Sequence, residues 1–288
     1  MNIAEYKEQI DSALSEYFTP AGLPYDGLLE SMRYSLTAGG KRIRPILVLE
    51  FCRITGGDVN KAMPVACAIE MLHTYSLIHD DLPCMDDDDL RRGKPTNHVV
   101  YGECTAVLAG DALQAEAFGT ILRSELPAVA RANCAEILAD AVGSDGMCAG
   151  QFLDMLGEEK SLTEDELNEI NGRKTGALLI AACKMGVAAA GGSDEQLEAA
   201  TLFGACIGSA FQIRDDVLDV ISTNEQLGKP VGSDASSHKN TYMALYGQER
   251  CMSMIYRLTE HAKEALSGVF TDTAFLRELA DSMVTRNS

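Results

Sequence analysis

Apolar residues recur along this chain with the period of an α-helix. They fall at positions i, i+3, i+4 and i+7 over long windows, for instance residues 66–77 and 177–185. Alternating runs of β-branched residues, the pattern of a half-buried strand, are scarce, and most of the eight prolines stand at the edges of the helical windows. The pattern therefore predicts an all-α protein of about ten or more helices.

The chain shows no internal boundary. No linker rich in glycine, serine or proline and no shift in composition divides its 288 residues, so we expect one domain spanning 1–288. Capping boxes predict two helix starts. One is at Ser161 with Glu164, or alternatively at Thr163 with Glu166, and the other is at Ser193 with Gln196.

The charge of the chain disfavours two classes of partner. Its formal net charge is −19, from 43 acidic and 24 basic residues. A nucleic-acid surface or an anionic membrane attracts basic proteins, so neither is expected as a partner. The longest apolar stretch, Ala177 to Ala190, contains Lys184 and falls short of the roughly 20 residues of a spanning helix. We expect it to be a buried helix rich in alanine.

The nine cysteines are scattered without a CxxC pair. An odd number at irregular spacing favours free thiols in a reducing cytoplasm over a disulfide framework or a zinc site. The first residues, MNIAEYKEQIDSAL, lack the basic and apolar regions of a signal peptide, which also favours a cytoplasmic protein.

An unusual cluster of acids follows one apolar window. Six aspartates stand between Asp80 and Asp89, after a helix predicted from Pro64 to about Leu82. His73 precedes Asp80 by seven residues and shares its helical face, whereas Asp86 would point about 120° away on an unbroken helix. Pro83 disfavours helix at the preceding residue. The chain should therefore turn there and bring Asp86 back towards Asp80.

A second acidic cluster lies within FQIRDDVLD, residues 211–219. Asp215 and Asp219 are spaced i, i+4, and Gln212 precedes Asp215 by one short turn, so all three should share a stripe. Like charges at this spacing destabilise a helix unless a cation compensates them. Carboxylates without histidine or cysteine partners suit Mg²⁺, which completes its shell with water and substrate phosphates.

Basic residues stand beside these acids. The segment GGKRIRP, residues 39–45, follows a helix predicted over 28–38, and its two glycines should turn the chain so that Lys41 and Arg44 face one anion. The run RRGK, residues 91–94, follows the first acidic cluster directly, and RKTG at 173–176 and Lys229 offer further donors. Together they indicate a composite site for a metal and a phosphate group.

In these motifs the chain resembles the short-chain trans-prenyl diphosphate synthases of the polyprenyl synthetase family, most of all the bacterial enzymes that form the farnesyl product. The resemblance rests on GGKRIRP, MLHTYSLIHDDLPCMDDDDLRRGKPT, LAGDAL, GQFLD, RKTGAL and FQIRDDVLD, in that order. It implies an antiparallel helix bundle around a central cavity, of the isoprenoid synthase type, and a homodimer. It also implies a prenyltransferase that condenses isopentenyl diphosphate with dimethylallyl and geranyl diphosphate, mainly to farnesyl diphosphate.

The resemblance assigns a role to each matching residue. Several Mg²⁺ ions per site would be held by Asp80, Asp81, Asp86, Asp215, Asp216 and Asp219. Isopentenyl diphosphate would contact Gly40, Lys41, Arg44, His73 and Arg92. The allylic diphosphate would contact Arg91, Lys174, Thr175, Gln212, Lys229 and Lys239, where the match around Lys239 is the loosest. The Lys174 carbonyl, Thr175 and Gln212 would stabilise the allylic cation, so that with Asp80, Asp81 and Asp215 they form the catalytic set.

Product length is expected to depend on the helix that precedes the first acidic cluster. Tyr75 and Ser76 stand five and four residues before Asp80, and a bulky Tyr75 would close the tail pocket after three isoprene units. The expected main product therefore has fifteen carbons.

Four alternatives remain open from the sequence. One is a geranylgeranyl diphosphate synthase of the same family. A terpene cyclase would lack an isopentenyl diphosphate site, against which Lys41, Arg44 and His73 argue. A non-catalytic subunit of a heteromeric synthase would tend to lose one of the two acidic clusters. An acidic all-α scaffold would need neither cluster.

Overall fold

The structure is a computed structural model that describes residues 2–157, 160–221 and 240–285, and this part of the chain is almost wholly helical. Its helices are α1 Ile3–Ser15, α2 Asp26–Leu36, α3 Ile43–Thr55, α4 Val59–Asp80, α5 Asn97–Tyr101, α6 Glu103–Leu122, α7 Ala128–Val142, α8 Met147–Gly157, α9 Glu164–Asn171, α10 Ala177–Ala190, α11 Asp194–Ile221, α12 Tyr242–Ala265 and α13 Ala274–Thr285. A π-helical turn, Gly172–Gly176, joins α9 to α10, and α12 is broken at Gly247. The predicted all-α class is confirmed.

One short hairpin interrupts this helical pattern, and the sequence did not predict it. Strands β1 Leu90–Arg91 and β2 Lys94–Pro95 pair antiparallel. The turn between them is Arg92-Gly93, with φ of +55° and +74°. Two positive φ values in a two-residue turn match the twist of a hairpin. Strands of two residues are too short to show alternation in a sequence.

Helix α10 lies at the centre of the core. It packs against α3, α7 and α11, and it has the bounds expected from its apolar sequence. Its apolar residues are largely buried, and Gly191, with φ of +71°, ends it. The buried apolar side chains of the described chain form one cluster, in which Phe51 of α3 meets Phe203 of α11 edge to face at 5.4 Å. None of the described helices is long and apolar enough to cross a bilayer.

Helix α4 begins earlier than the sequence predicted. Asp58 caps it by accepting from the Asn60 N–H, so the helix starts at Val59 and Pro64 lies within its second turn. A proline there removes one backbone hydrogen bond near the helix start, which costs less than a proline in the middle. The helix ends at Asp80, with Asp81 as its cap, two residues before the predicted end at Leu82. It packs most extensively against α6 and α3, and it also contacts α10.

The predicted helix caps are present. Thr163 and Glu166 form the capping box of α9, so this alternative is confirmed over Ser161. Ser193 and Gln196 exchange the two hydrogen bonds of a capping box before α11. Helix α2 ends at Leu36, two residues before the predicted end.

Candidate active site

The chain reverses direction just after α4, as the proline predicted. The Asp86 N–H donates to the Asp80 carbonyl at 2.8 Å, and the Asp87 N–H donates to the Leu82 carbonyl at 3.2 Å. Asp86 therefore returns to the end of α4 instead of pointing away from it. Asp80 and Asp81 are both buried at this end.

Groups from distant segments of the chain stabilise the charged form of Asp80. Burial raises the pKa of its carboxyl group and Asp86 raises it further, while Lys174 and Gln151 oppose the shift. Gln151 Nε2 donates to Asp80 Oδ1 at 2.7 Å. From the sequence alone Gln151 has no assigned role, although it lies in the GQFLD motif. Its place three residues before Asp154 on one face of α8 is the signal that could have indicated it.

Asp81 pairs with the first arginine of the hairpin. Arg91 Nε donates to Asp81 Oδ1 at 2.7 Å, and Asp88 lies 3.7 Å from the same guanidinium. Burial raises the pKa of the Asp81 carboxyl group, and Arg91 opposes that shift. The two acids that end α4 therefore differ in their environment, since Asp81 has a salt bridge and Asp80 accepts from a neutral amide.

A basic cavity of about 510 Å³ opens beside α4. The five residues that the resemblance assigned to isopentenyl diphosphate all line it, and they are Gly40, Lys41, Arg44, His73 and Arg92. Asp215 of the second acidic cluster lines the same cavity, together with Leu179 and Phe211. The folded chain thus brings Lys41 and Arg44, His73 of α4 and Arg92 of the hairpin into one cavity with a carboxylate from α11.

Two groups in this cavity have strongly perturbed pKa values. Burial, aided by the neighbouring Arg92, lowers the pKa of Arg44 to about 10. Its buried Nε has no hydrogen-bond partner among the described residues. Burial also lowers the pKa of His73 well below its ordinary value of 6.5, and Arg44 and Arg92 add to this effect. Glu70, which also lines the cavity, opposes the shift of Arg44. A buried guanidinium with an unbonded Nε can donate to a bound anion, and a neutral imidazole can donate through its N–H.

Gly40 allows the Arg92 side chain to reach the cavity. A Cβ atom at Gly40 would lie 2.8 Å from Arg92 Nη1, and the φ of Gly40 is +135°. Arg92 stands in the hairpin turn and donates to the Gly39 carbonyl. A side chain at position 40 would displace the guanidinium, so the glycine is needed for both its backbone conformation and its size.

Arg42 anchors the basic segment from within. Its side chain is buried and forms salt bridges with Glu70 at 2.6 Å and with Asp11 at 2.8 Å. Its φ of +55° turns the backbone so that Lys41 and Arg44 line the cavity. From the sequence alone Arg42 has no assigned role, because charge does not distinguish a buried anchor from a ligand within one basic run.

The second acidic cluster faces two cavities. Asp215 lines the basic cavity, whereas Asp216 lines a smaller cavity of about 160 Å³ with Lys174, Thr175 and Gln212. The sequence placed Gln212 on a stripe with Asp215 and Asp219, but the Gln212 side chain donates to Asp216, at 3.2 Å. The reason is that Asp216 is also one helical turn from Gln212.

Asp216 has a structural partner as well. Its Oδ2 accepts from the Tyr242 N–H at 2.7 Å, at the start of α12, where unpaired backbone N–H groups favour a carboxylate. Asp219, also of this cluster, is buried at 3% exposure. Asp216 therefore ties the second cluster to α12.

The π-helical turn positions Lys174 and Thr175. The Ala177 N–H donates to the Gly172 carbonyl, five residues back, and Thr175 Oγ1 donates to Gln212 Oε1 at 3.3 Å. Lys174 Nζ forms a salt bridge with Asp154 of α8 at 2.6 Å. Burial opposes the charged form of Lys174, yet Asp80 and Asp154 raise its pKa, so it stays a cation. Single π turns of this kind occur often at functional sites.

The donors at the site fit Mg²⁺. Among the described residues, no three histidine, cysteine, aspartate or glutamate side chains already converge on one point that would hold a metal ion. Mg²⁺ needs only one or two carboxylates when a substrate supplies phosphate oxygens. The buried Asp80 and the Asp86 beside it offer hard oxygen donors, and a bound cation would offset the burial and the like charge that raise the pKa of Asp80.

Of the four other predicted residues, two lie in the described part of the chain. Lys229 and Lys239 lie outside the described residues. Tyr75 is buried on α4, and Ser76 Oγ donates to the His73 carbonyl at 2.8 Å.

Comparison with known proteins gives consistent matches over most of the chain. The sequence model of the family described as polyprenyl synthetase matches residues 26–270. The farnesyl diphosphate synthase of Bacillus subtilis (strain 168) is 44% identical over 288 residues, covering 99% of this chain and 97% of that one. The geranylgeranyl diphosphate synthase of Cyanophora paradoxa is 45% identical over 287 residues, covering 99% and 95% of the two chains.

A solved structure agrees with these matches. The crystal structure of an apo FPP/GFPP synthase from Zymomonas mobilis superposes with a TM-score of 0.87 at 35% identity, covering 98% of this chain and 97% of that one. The relatives thus include synthases whose names carry different products.

Proposed function

We propose the substrates and the product of this chain, which belongs to the polyprenyl synthetase family and is a prenyltransferase. It condenses isopentenyl diphosphate with dimethylallyl and geranyl diphosphate, mainly to farnesyl diphosphate. The observation that carries the proposal is the basic cavity, in which Lys41, Arg44, His73 and Arg92 face Asp215. Such a cavity suits a diphosphate bound without metal on one side and a metal-bound diphosphate on the other. The chain is proposed to act as one domain.

Isopentenyl diphosphate is proposed to bind in the basic cavity. Arg44 and Arg92 donate to its phosphate oxygens, and Lys41 adds a point charge. Because the pKa of His73 is lowered, its imidazole is neutral near pH 7 and serves as a hydrogen-bond donor to the same diphosphate. Gly40 leaves room for this arrangement.

The allylic diphosphate is proposed to bind between the two acidic clusters. Asp80, Asp81 and Asp86 on one side, and Asp215, Asp216 and Asp219 on the other, would hold Mg²⁺. The bound ions would neutralise the diphosphate and make it a better leaving group. Lys174 and Arg91 contact the diphosphate directly, and Lys229 and Lys239 are proposed to join them.

Ionisation of the allylic substrate creates a carbocation that must be kept from water. The Lys174 carbonyl and the oxygens of Thr175 and Gln212 are proposed to stabilise it, and the apolar Leu179 and Phe211 restrict solvent access. The isopentenyl double bond then attacks the cation, and the released diphosphate takes the proton that leaves. No side chain is assigned as a general base.

Product length is proposed to depend on Tyr75 and Ser76, in line with the expected fifteen-carbon product. Tyr75 is only 5% exposed, so its ring fills space within the fold. The growing tail would extend along α4 and stop at this ring. A geranylgeranyl product is the second candidate, since a relative of nearly equal identity carries that name.

The protein is proposed to be a cytoplasmic homodimer, with α6 at the interface. This helix buries one apolar face in the core, yet Leu108, Ala115 and Leu122 expose a second apolar stripe at seven-residue spacing. A helix that is apolar on two sides favours a partner on both. The variant Leu108→Glu should be monomeric by light scattering.

The cysteines support the proposed cytoplasmic location. All nine are free thiols, as a reducing compartment would keep them.

A turnover assay on the purified protein alone tests the proposal. Isopentenyl diphosphate is supplied with dimethylallyl or geranyl diphosphate, with Mg²⁺ and then with a chelator, and the products are separated by chromatography. We expect a main product of fifteen carbons and no turnover with the chelator. A dominant twenty-carbon product would favour the geranylgeranyl alternative, and turnover only after a second subunit is added would contradict the proposal.

A further inference from the structure

Tyr75 is held at its hydroxyl by a side chain from another helix. Its Oη lies 3.3 Å from the Sγ atom of Cys148, the second residue of α8. Burial, and then the contact with Cys148, raise the pKa of the Tyr75 hydroxyl well above its ordinary value, so the group stays protonated at physiological pH. The position of the hydroxyl is therefore fixed from α8.

A second side chain holds the ring itself. His79 stands one turn after Tyr75 on α4, and the two rings meet edge to face, with centroids 5.4 Å apart and planes at 89°. The imidazole is in turn held by α6, because its Nε2 lies 3.1 Å from the Val107 carbonyl. A Cβ atom at Gly110 would lie only 2.1 Å from the same nitrogen, so α6 has a gap that admits the His79 ring.

The Tyr75 ring thus has supports from three helices, namely α4, α6 and α8. A tyrosine ring on a helix can change its side-chain torsions with little energy unless neighbouring groups restrict it. A ring that ends a substrate pocket must resist the pressure of a growing hydrocarbon tail. Fixing both the hydroxyl and the face of the ring would give that resistance.

We infer that Cys148 and His79 are positioning residues that hold Tyr75 in place and thereby determine how sharply chain growth stops. The inference rests on the proposed function, in which Tyr75 ends the tail pocket. It goes further by making product length a property of a contact between helices instead of the size of one side chain. Loss of either support should let the ring move and allow longer products.

The experiment compares the ratio of twenty-carbon to fifteen-carbon product across matched variants. Cys148→Ala removes the contact with the hydroxyl and Cys148→Ser keeps it, while His79→Ala removes the aromatic contact and His79→Phe keeps it. Losing one hydrogen bond or ring contact corresponds to roughly a three- to tenfold change in the ratio. Cys104→Ala, at an exposed cysteine on α6, is the control.

We expect both alanine variants to raise the ratio, and the serine and control variants to keep that of the wild type. His79→Phe, which keeps the ring contact but loses the bond to the Val107 carbonyl, should give an intermediate ratio. Thermal midpoints and total turnover are measured on the same samples, because a merely structural role would lower these and leave the ratio unchanged. Unchanged ratios in both alanine variants, while Tyr75→Ala lengthens the product, would overturn the inference and leave the proposed function intact. An unchanged ratio in Tyr75→Ala as well would overturn the tail-stop role itself.

Discussion

Gln151 Nε2 donates to Asp80 Oδ1 at 2.7 Å, and this bond joins α8 to the end of α4 across 71 positions of sequence. A carboxylate that accepts from a fixed amide is limited in its orientation. Asp80 therefore reaches the site with one oxygen engaged and its second oxygen oriented by that bond.

The variant Gln151→Leu tests this contact. Loss of an outer partner of a metal-binding carboxylate typically lowers activity about 10- to 100-fold, and we expect kcat/KM for the allylic substrate to fall by that amount. Steady-state kinetics at several Mg²⁺ concentrations would measure it. Gln9→Leu, on the exposed face of α1, is the matched control. Equal kinetics in the two variants would show that Asp80 needs no such support.

Arg44 should be needed to bind isopentenyl diphosphate, although its buried charge should lower the stability of the folded protein. Its buried Nε has no partner among the described residues, and burial lowers its pKa to about 10. We expect Arg44→Met to raise the KM for isopentenyl diphosphate by at least about tenfold and to increase the free energy of unfolding by about 1 kcal/mol. Kinetics and urea denaturation would measure the two effects.

Arg53→Met is the control for that result. Arg53 forms salt bridges with Glu50 at 2.7 Å and with Asp272 at 2.6 Å, away from the basic cavity. This variant should lower the free energy of unfolding and leave the KM unchanged. A loss of stability in Arg44→Met as well would contradict the view that burial of the Arg44 charge destabilises the fold.

His73 should make the unliganded protein less stable in acid. Burial and the nearby Arg44 lower its pKa in the folded state, so below pH 6.5 the unfolded chain binds a proton there that the folded chain does not. Stability is then lost as pH falls, by up to about 1.4 kcal/mol per pH unit between the unfolded and folded pKa values. We expect His73→Gln to remove this dependence in urea titrations between pH 7 and 5. His261→Gln, at an exposed position, should keep the dependence of the wild type.

Substitutions at the two glycines before Lys41 allow the effect of backbone strain to be measured separately from that of steric exclusion. Both have positive φ, but only at Gly40 would a Cβ atom meet Arg92, since nothing lies within 4 Å of the corresponding point at Gly39. Gly39→Ala and Gly40→Ala should each cost about 1 kcal/mol of stability. Only Gly40→Ala should also raise the KM for isopentenyl diphosphate severalfold. Equal KM values would show that Arg92 can move without loss.

Tyr75→Ala should lengthen the product. Removing the buried ring opens space along α4 for at least one more five-carbon unit, so the twenty-carbon product should become the main one. Chromatography of products from geranyl diphosphate measures this. Tyr256→Ala is the control, since that tyrosine is 58% exposed on α12. A product mixture like that of the wild type would place the stop at another residue.

The sequence predicted the helices better than their ends. Periodicity defined α10 to the residue, because an apolar run bounded by glycines leaves little choice. It missed the first turn of α4, where a capping aspartate outweighs a proline, and it missed a hairpin of four paired residues. A five-residue π turn has no periodic pattern of its own, so Gly172–Gly176 could be found only in the structure.

For the proposed site, the sequence predicted charged residues that the fold brings together, but it did not predict the residues that support them. From a single proline it predicted that the chain turns and returns Asp86 to Asp80, and the structure has that reversal. It could not separate Arg42, which binds Glu70 inside the fold, from Lys41 and Arg44 beside it. The contacts of Gln151 and Cys148 depend on how α8 packs against α4, and no local pattern encodes that geometry.

Helix α4 carries His73, Tyr75 and Asp80 without a break, so under the proposed function it sets the distance between the diphosphate sites and the end of the tail pocket. Seven residues separate the first from the last, about 10 Å along the axis. Adding one residue to this helix would rotate everything beyond it by about 100°, and the head groups and the tail end would lose register together. Evolution can therefore retune such an enzyme by exchanging side chains, but insertions here would disable it.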